Sequence, residues 1–196
     1  MGKYICVYSS SSSIVGQDYF QGARQLGTQM AQRGIGLIFG GGQVGLMGET
    51  ARAIHESGGK VIGVIPKALN EKGIVYEKCD ELIVTKGLRE RKAIMDERAD
   101  AFIALPGGFG TLEELLEIIT LKQLRYHNKP VVVLNINGFY NGLIQVFENI
   151  IELKFAKVTC RDLYFVAETV EDALNYIENY VPRDCGSKWL TDVDRP

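Results

Sequence analysis

The 196-residue chain is long enough for one domain with a buried core, and its 46% apolar and 23% charged residues are those of a globular protein. A formal net charge of −2, with no run of lysine or arginine, argues against a nucleic-acid surface. No apolar run approaches the roughly 20 residues of a membrane span, and the start of the chain is too short and too soon polar for a signal peptide.

In chain order, residues 4–9 predict a first strand, which argues against reading Gly2 as a myristoylation site. The serine run 9–13 is the turn into a helix over 19–32, with Phe20, Ala23, Leu26, Met30 and Ala31 on its inner face. A strand at 36–39 leads through the turn 40–42 into a helix over 47–54. A strand at 61–65, a loop over 66–78, a short strand at 81–85 and a helix over 88–98 follow. Next come a strand at 101–105, a turn at 106–110, a helix over 111–125 and the almost wholly apolar segment 130–136. A helix over 140–153, a weak strand at 163–166 and a helix over 170–180 precede a polar, extended tail at 182–196.

Strands that read as continuous apolar runs are buried on both faces, and their alternation with helices makes the sheet parallel. The expected fold is α/β: residues 1–181 form a single doubly wound, mostly parallel sheet with helices on both faces, Rossmann-like. Cys6, Cys79, Cys160 and Cys185 are far apart and form no CxxC. They read as free thiols in a reducing, cytoplasmic compartment rather than as disulfides or a zinc site. His55 and His127 read as surface or capping residues and Cys6 as core. Tyr8 and Phe109 read equally as pocket or packing residues.

The 22 glycines concentrate in two clusters. The first, Gly40-Gly41-Gly42-Gln43-Val44-Gly45-Leu46-Met47-Gly48, contains GxGxxG between a strand and a helix. A dinucleotide site would also need an acid about 20 residues on, at the end of the next strand. That strand ends Val64-Ile65-Pro66-Lys67, and the motif follows the second strand, so a nicotinamide-dependent dehydrogenase is disfavoured. What is left is a tight turn with close packing, or contact of Gly41 and Gly42 with a phosphate or ribose.

The second cluster is Pro106-Gly107-Gly108-Phe109-Gly110-Thr111-Leu112-Glu113-Glu114. Gly107, Gly108 and Gly110 can present N–H groups unobstructed at a helix N-terminus, where an anion belongs, and Thr111 adds a hydroxyl. Without a Lys-Ser/Thr pair it is not a P-loop. The alternative is a capping box in which Thr111 caps and Glu114 reaches back. A third segment, 87–95, offers Leu88, Ala93 and Met95 to the core. It also sets Arg89, Arg91 and Lys92 at a helix start, where cations oppose the dipole unless an anion binds nearby.

Together, PGGxGTxxE at 106–114 and GGGxxGLMG at 40–48 resemble the LOG ("Lonely guy") family of cytokinin riboside 5′-monophosphate phosphoribohydrolases, over roughly residues 3–180. Its members have often carried the label lysine decarboxylase. The resemblance implies hydrolysis of the N-glycosidic bond of a nucleoside 5′-monophosphate, with Arg91 and Glu114 as the catalytic pair. Lys92, Gly107, Gly108, Gly110, Thr111, Glu113 and Thr120 would line the substrate pocket. It further implies a homodimer or higher homo-oligomer with the site near the subunit interface, a nucleotide as the partner molecule, and no cofactor or metal. Arg91 is expected to bind phosphate or to hold Glu114 ionised. The chain departs from the family pattern in three places. Arg89 stands where histidine is frequent, Ser9-Ser10-Ser11-Ser12 replaces Cys-Gly-Ser-Ser, and Gly73 falls where a glutamate is common. Cytokinin riboside monophosphates and AMP both remain open as substrates. A nucleotide or ADP-ribose-type binding module of the same fold, without turnover, is the alternative; it would not need the Arg91–Glu114 pair.

Overall fold

Period-two alternation along the strands decides which helices cover which face. In the computed structural model, which describes residues 3–183, the strands are β1 (Tyr4–Tyr8), β2 (Gly36–Phe39), β3 (Val61–Pro66), β4 (Glu81–Thr85), β5 (Ala101–Ala104), β6 (Val131–Leu134) and β7 (Phe165–Ala167). The helices are α1 (Gln17–Gln32), α2 (Gly45–Glu56), α3 (Leu88–Arg98), α4 (Phe109–Gln123), α5 (Asn141–Glu152) and α6 (Val170–Glu178).

Ile5 and Val7 of β1, Leu37 and Phe39 of β2, and Ala101 and Ile103 of β5 face one layer, filled by Leu26 and Met30 of α1, Ile54 of α2 and Leu174 of α6. The intervening residues Cys6, Tyr8, Ile38 and Phe102 face the other, where Met95 of α3 and Leu115 and Ile118 of α4 pack. Every residue of β2, β3, β5 and β6 is buried, as expected of strands covered on both sides. Truncating a fully buried side chain such as Phe102 to alanine costs about 3–5 kcal/mol.

The seven strands run β4-β3-β2-β1-β5-β6-β7, all parallel. After β4 the chain returns through α3 and enters β5 on the other side of β1. The connections after β1 and β5 therefore leave the sheet in opposite directions, and a crevice opens between them, where such sheets bind ligands.

Some expected boundaries move. Helix α4 starts at Phe109, not 111, and ends before Arg125, whose φ of 66° reverses the chain. The weak strand at 163–166 is Phe165–Ala167, because residues 158–163 form a 3-10 turn that seats Leu163 in the core. In α3 only Met95 is buried; Leu88 is 56% exposed and Ala93 is exposed, so neither serves the core as expected. Cys6 is core, as read, and Cys6, Cys79 and Cys160 are free thiols. Gly2, Cys185 and tail residues 184–196 lie outside the described residues. Among those described, no helix is long and apolar enough to cross a membrane.

Candidate active site

Three connections meet over the crevice: residues 9–16 after β1, 40–44 after β2 and 105–108 after β5. Helix α4 opens directly on it. Its N-cap is Gly108, with no side chain capping it, so its first-turn N–H groups keep the orphan character of any helix start and the positive end of the dipole. Thr111 is not the cap. It lies inside the first turn, 4% exposed, with its side chain where a Cβ on Gly107 would stand. The capping-box alternative therefore fails, and Glu114 points elsewhere. Gly108 and Gly110 differ from Gly107: among the described residues, nothing beyond the adjoining backbone lies within 4 Å of a Cβ built on either. Packing explains one of the three glycines, and the other two keep a surface of N–H groups clear.

The first glycine cluster does something else. Gly45 has φ +64°, and a side chain there would run into the backbone of Ser10, Ser11 and Ser12. This close approach lets the Ser10 carbonyl accept from the N–H groups of Leu46 (2.9 Å) and Met47 (3.3 Å) at the start of α2. The start of α2 thus carries an internal cap. Gly41 accepts from the Tyr76 N–H at 2.8 Å, and Gly42 bridges to Val75, so this loop is sewn to residues 74–76.

A Cβ on Gly40 would overlap the guanidinium of Arg91. The missing side chain lets Arg91 reach across from α3, and its Nη2 donates to Glu114 Oε1 at 2.9 Å. Both side chains are nearly buried, at 14% and 11% exposed. Arg91 Nε is buried and has no hydrogen-bond partner among the described residues. Burial raises the Glu114 carboxyl above its ordinary pKa, and Arg91 opposes this without overcoming it. Arg91 and Lys92 pull the carboxyl toward its ionised form, while desolvation, with like charge from Glu113 and Glu117, outweighs them in the net shift.

Beside the pair, Lys92 Nζ lies between Glu113 and Glu117, at 2.5 Å from the latter. Glu117 was not foreseen, although its spacing of four from Glu113 on one helix is the signal that places both on a single cation. Burial would lower the Lys92 pKa, but the two carboxylates outweigh it and the net shift is upward. A cavity of about 140 Å³ runs between α3 and α4, lined by Tyr8, Arg89, Lys92, Asp96, Glu114 and Glu117. On the other side of the Gly107–Gly108 loop, a cavity of about 250 Å³ is bounded by Ser10, Val15, Tyr19, Leu46 and Phe139.

A family model described as possible lysine decarboxylase matches residues 47–177. The cytokinin riboside 5′-monophosphate phosphoribohydrolase LOG2 of Arabidopsis thaliana is 44% identical over 192 residues, covering 97% of this chain and 90% of that protein. This chain belongs to the LOG family. The probable cytokinin riboside 5′-monophosphate phosphoribohydrolase LOGL5 of Oryza sativa subsp. japonica is also 44% identical, over 92% of this chain and 73% of that one. Among solved structures, the molybdenum cofactor carrier protein of Chlamydomonas reinhardtii superposes with a TM-score of 0.69 at 25% identity, over 91% of this chain and 97% of that one.

Of the residues expected in this LOG family member's site, the structure brings Arg91, Lys92, Glu113 and Glu114 together and sets Gly107, Gly108, Gly110 and Thr111 at the start of the same helix. Gly41 and Gly42 follow Gly40, the residue against which Arg91 packs. Thr120 stands apart. It donates to the Leu116 carbonyl and lines a different, apolar groove of about 510 Å³ between α4, α5 and the 158–163 turn. Tyr8 serves both its expected roles, lining the smaller cavity and stacking on Phe102 at 6.1 Å. Phe109 is 93% exposed at the mouth of the helix, so it is not a packing residue. His55 bonds Tyr76 and Asp80 near the end of α2, and His127 bonds the Ile118 carbonyl.

Proposed function

We propose that this chain is a phosphoribohydrolase that cleaves a nucleoside 5′-monophosphate, AMP or a cytokinin riboside monophosphate, to the free base and ribose 5-phosphate. The observation that carries the reading is the Arg91–Glu114 pair one helical turn inside an uncapped helix N-terminus. Glu114 follows Gly110 by four residues, about 6 Å at 1.5 Å per residue. That is a fitting separation between a 5′-phosphate held by the first-turn N–H groups and the anomeric carbon of the same ribose. The phosphate takes the role of a remote handle that sets the reacting bond in place.

As the C1′–N bond breaks, its electron pair leaves with the base and positive charge builds on the ribose. The Glu114 carboxylate stabilises that charge and takes a proton from the attacking water, whose oxygen bonds to C1′. The proton then passes to the departing base. A carboxyl raised by burial suits this exchange, because its affinity for the proton lies closer to the working pH. Arg91 orients the carboxylate through its Nη2. The lysine decarboxylase description fits less well: the lysine of the cleft is clasped by two carboxylates that raise its pKa, the opposite of what an amine nucleophile needs.

The working unit in this reading is a homodimer docked through the apolar groove of α4 and α5, where Leu116, Val146 and Ile150 are exposed and Thr120 is found. A second copy would bring Thr120 to an interface close to the pocket. The free thiols and the nucleotide substrate fit a cytoplasmic setting.

The test is base release from AMP and from isopentenyladenosine monophosphate, followed by chromatography, with the wild type beside Glu114→Gln. Release that falls by about 10²- to 10⁴-fold in a folded variant supports the hydrolase and ranks the bases. Tight binding of both nucleotides without release would instead make the chain a carrier of the same fold.

A further inference from the structure

We propose that Tyr140 is a positioning residue for the phosphate cradle: through the Leu105 carbonyl it fixes the direction in which residues 106–110 leave the sheet. This inference rests on the reading of that cradle as the phosphate site.

Tyr140 is 1% exposed, and its hydroxyl donates to the Leu105 carbonyl at 2.7 Å. Leu105 is the last residue before the cradle. Its N–H donates to the Tyr8 carbonyl at 2.9 Å, so both backbone groups of this residue, on the two peptide links that flank its Cα, are held, one by β1 and one by Tyr140. Pro106 follows with a fixed φ and no N–H of its own, and its carbonyl accepts from Ser10 at 3.3 Å. The chain therefore enters Gly107 along a path with little freedom. Gly107 and Gly108 have no side chain to set that path from within, so it must be imposed from outside.

The phenol is itself held. Asn135, 2% exposed at the end of β6, donates its N–H to the Ala167 carbonyl at 2.8 Å. Its Oδ1 accepts the Tyr140 N–H at 2.7 Å, and its Nδ2 donates to Asn141 Oδ1 at 2.8 Å and Glu168 Oε1 at 3.2 Å. A buried amide with both ends satisfied has a single orientation. The ring of Phe139 packs edge-on against Tyr140 at 4.9 Å and walls the cavity beside Gly108. From β7 through Asn135 and Tyr140 to Leu105, a chain of buried hydrogen bonds ends on the peptide that aims the helix α4 N-terminus.

The test is Tyr140→Phe, which keeps the ring and removes only the hydroxyl. Three readouts are taken with the melting temperature: kcat and KM for AMP, and the Kd of ribose 5-phosphate by calorimetry. KM and Kd rise together by about tenfold while kcat stays within about twofold, because phosphate anchoring is loosened and Arg91 and Glu114 are untouched. A drop in kcat at constant KM and Kd, or a lower melting temperature with all three unchanged, overturns the proposal. Should the variant not fold, Asn141→Ala, which frees one end of the Asn135 amide from the surface, shifts KM and Kd in the same direction by a smaller factor; no shift overturns it. A wild type that binds ribose 5-phosphate without cleaving AMP removes the hydrolase reading alone, and the Kd ratio still decides. A wild type that does neither removes the cradle and this inference with it.

Discussion

Replacing Gly110 by alanine separates what the fold needs from what the ligand needs. Gly110 lies in the first turn of α4, its φ is not left-handed, and a Cβ built on it meets nothing within 4 Å among the described residues beyond its own helix backbone. In the free protein the change is favourable, because glycine in a helix is about 0.5–1 kcal/mol worse than alanine. For a chain of this size about 1 kcal/mol corresponds to roughly 2–4 °C, so the melting temperature rises by about 1–4 °C. In the complex the new methyl enters the space from which phosphate oxygens would meet the first-turn N–H groups. A hydrogen bond to a charged group is worth about 1.5–3 kcal/mol, so its loss raises KM for AMP by about 10- to 100-fold. Differential scanning fluorimetry and steady-state base release on one preparation measure both. A more stable enzyme with a weakened KM is the expected result. An unchanged KM refutes the location of the phosphate, and a lower melting temperature refutes the claim that nothing in the chain requires this glycine. Gly107→Ala is the counterpart: its methyl collides with Thr111, so this variant loses stability in the absence of any nucleotide.

The same reasoning gives three further expectations. Gly40→Ala displaces Arg91 from Glu114, and a small misplacement of a catalytic group lowers kcat by about 10- to 100-fold while KM for AMP changes little; wild-type kcat would show that the pair is dispensable. The Glu114 carboxyl is raised by burial, against the pull of Arg91, so the folded chain binds this proton more tightly than the unfolded one. Its stabilising contribution is therefore complete below the ordinary glutamate pKa and is lost as pH rises through the raised value. Urea midpoints of the wild type and Glu114→Gln at about pH 4 and about pH 7.5 test this: the wild type loses ground to the variant as pH rises, and a constant or opposite difference refutes it. Ile150→Glu, in the apolar groove, is expected to convert the proposed dimer to monomers in sedimentation velocity and to lower base release; a dimer that persists rules this face out as the interface.

Much of the fold is legible because its strands are short, wholly apolar and spaced by amphipathic helices. Gly36–Phe39, Glu81–Thr85 and Leu88–Arg98 fall where the residue pattern puts them. The pattern fails where the environment, not the residue type, decides. Leu88 and Ala93 have the character of core residues, yet α3 buries only Met95, because most of this helix stays on the surface. The ionisation of Glu114 depends on how much water its carboxylate loses, a quantity that no local sequence motif contains. Tyr140 has no signal at all: one tyrosine among nine, it acquires a role only when β6 is laid beside β5 and the Leu105 carbonyl comes within its reach.

The glycines carry the most instructive ambiguity. In the sequence the two clusters look alike, each following a strand and opening a helix, and phosphate contact is a fair expectation for both. In the folded chain they answer different needs. Gly40 makes room for a guanidinium and Gly45 for the serine loop, whose Ser10 carbonyl then occupies the start of α2. Any anion there would have to displace a bond the protein makes with itself. Among the described residues, Gly108 and Gly110 make room for no neighbour, and no side chain caps the helix they open. A glycine whose missing side chain is filled by a neighbour belongs to the fold. A glycine at an uncapped helix start whose missing side chain faces no protein atom is better explained by a ligand. That distinction is what supports the proposed phosphate site at α4, while α2 follows the Gly40 turn against which Arg91 reaches Glu114.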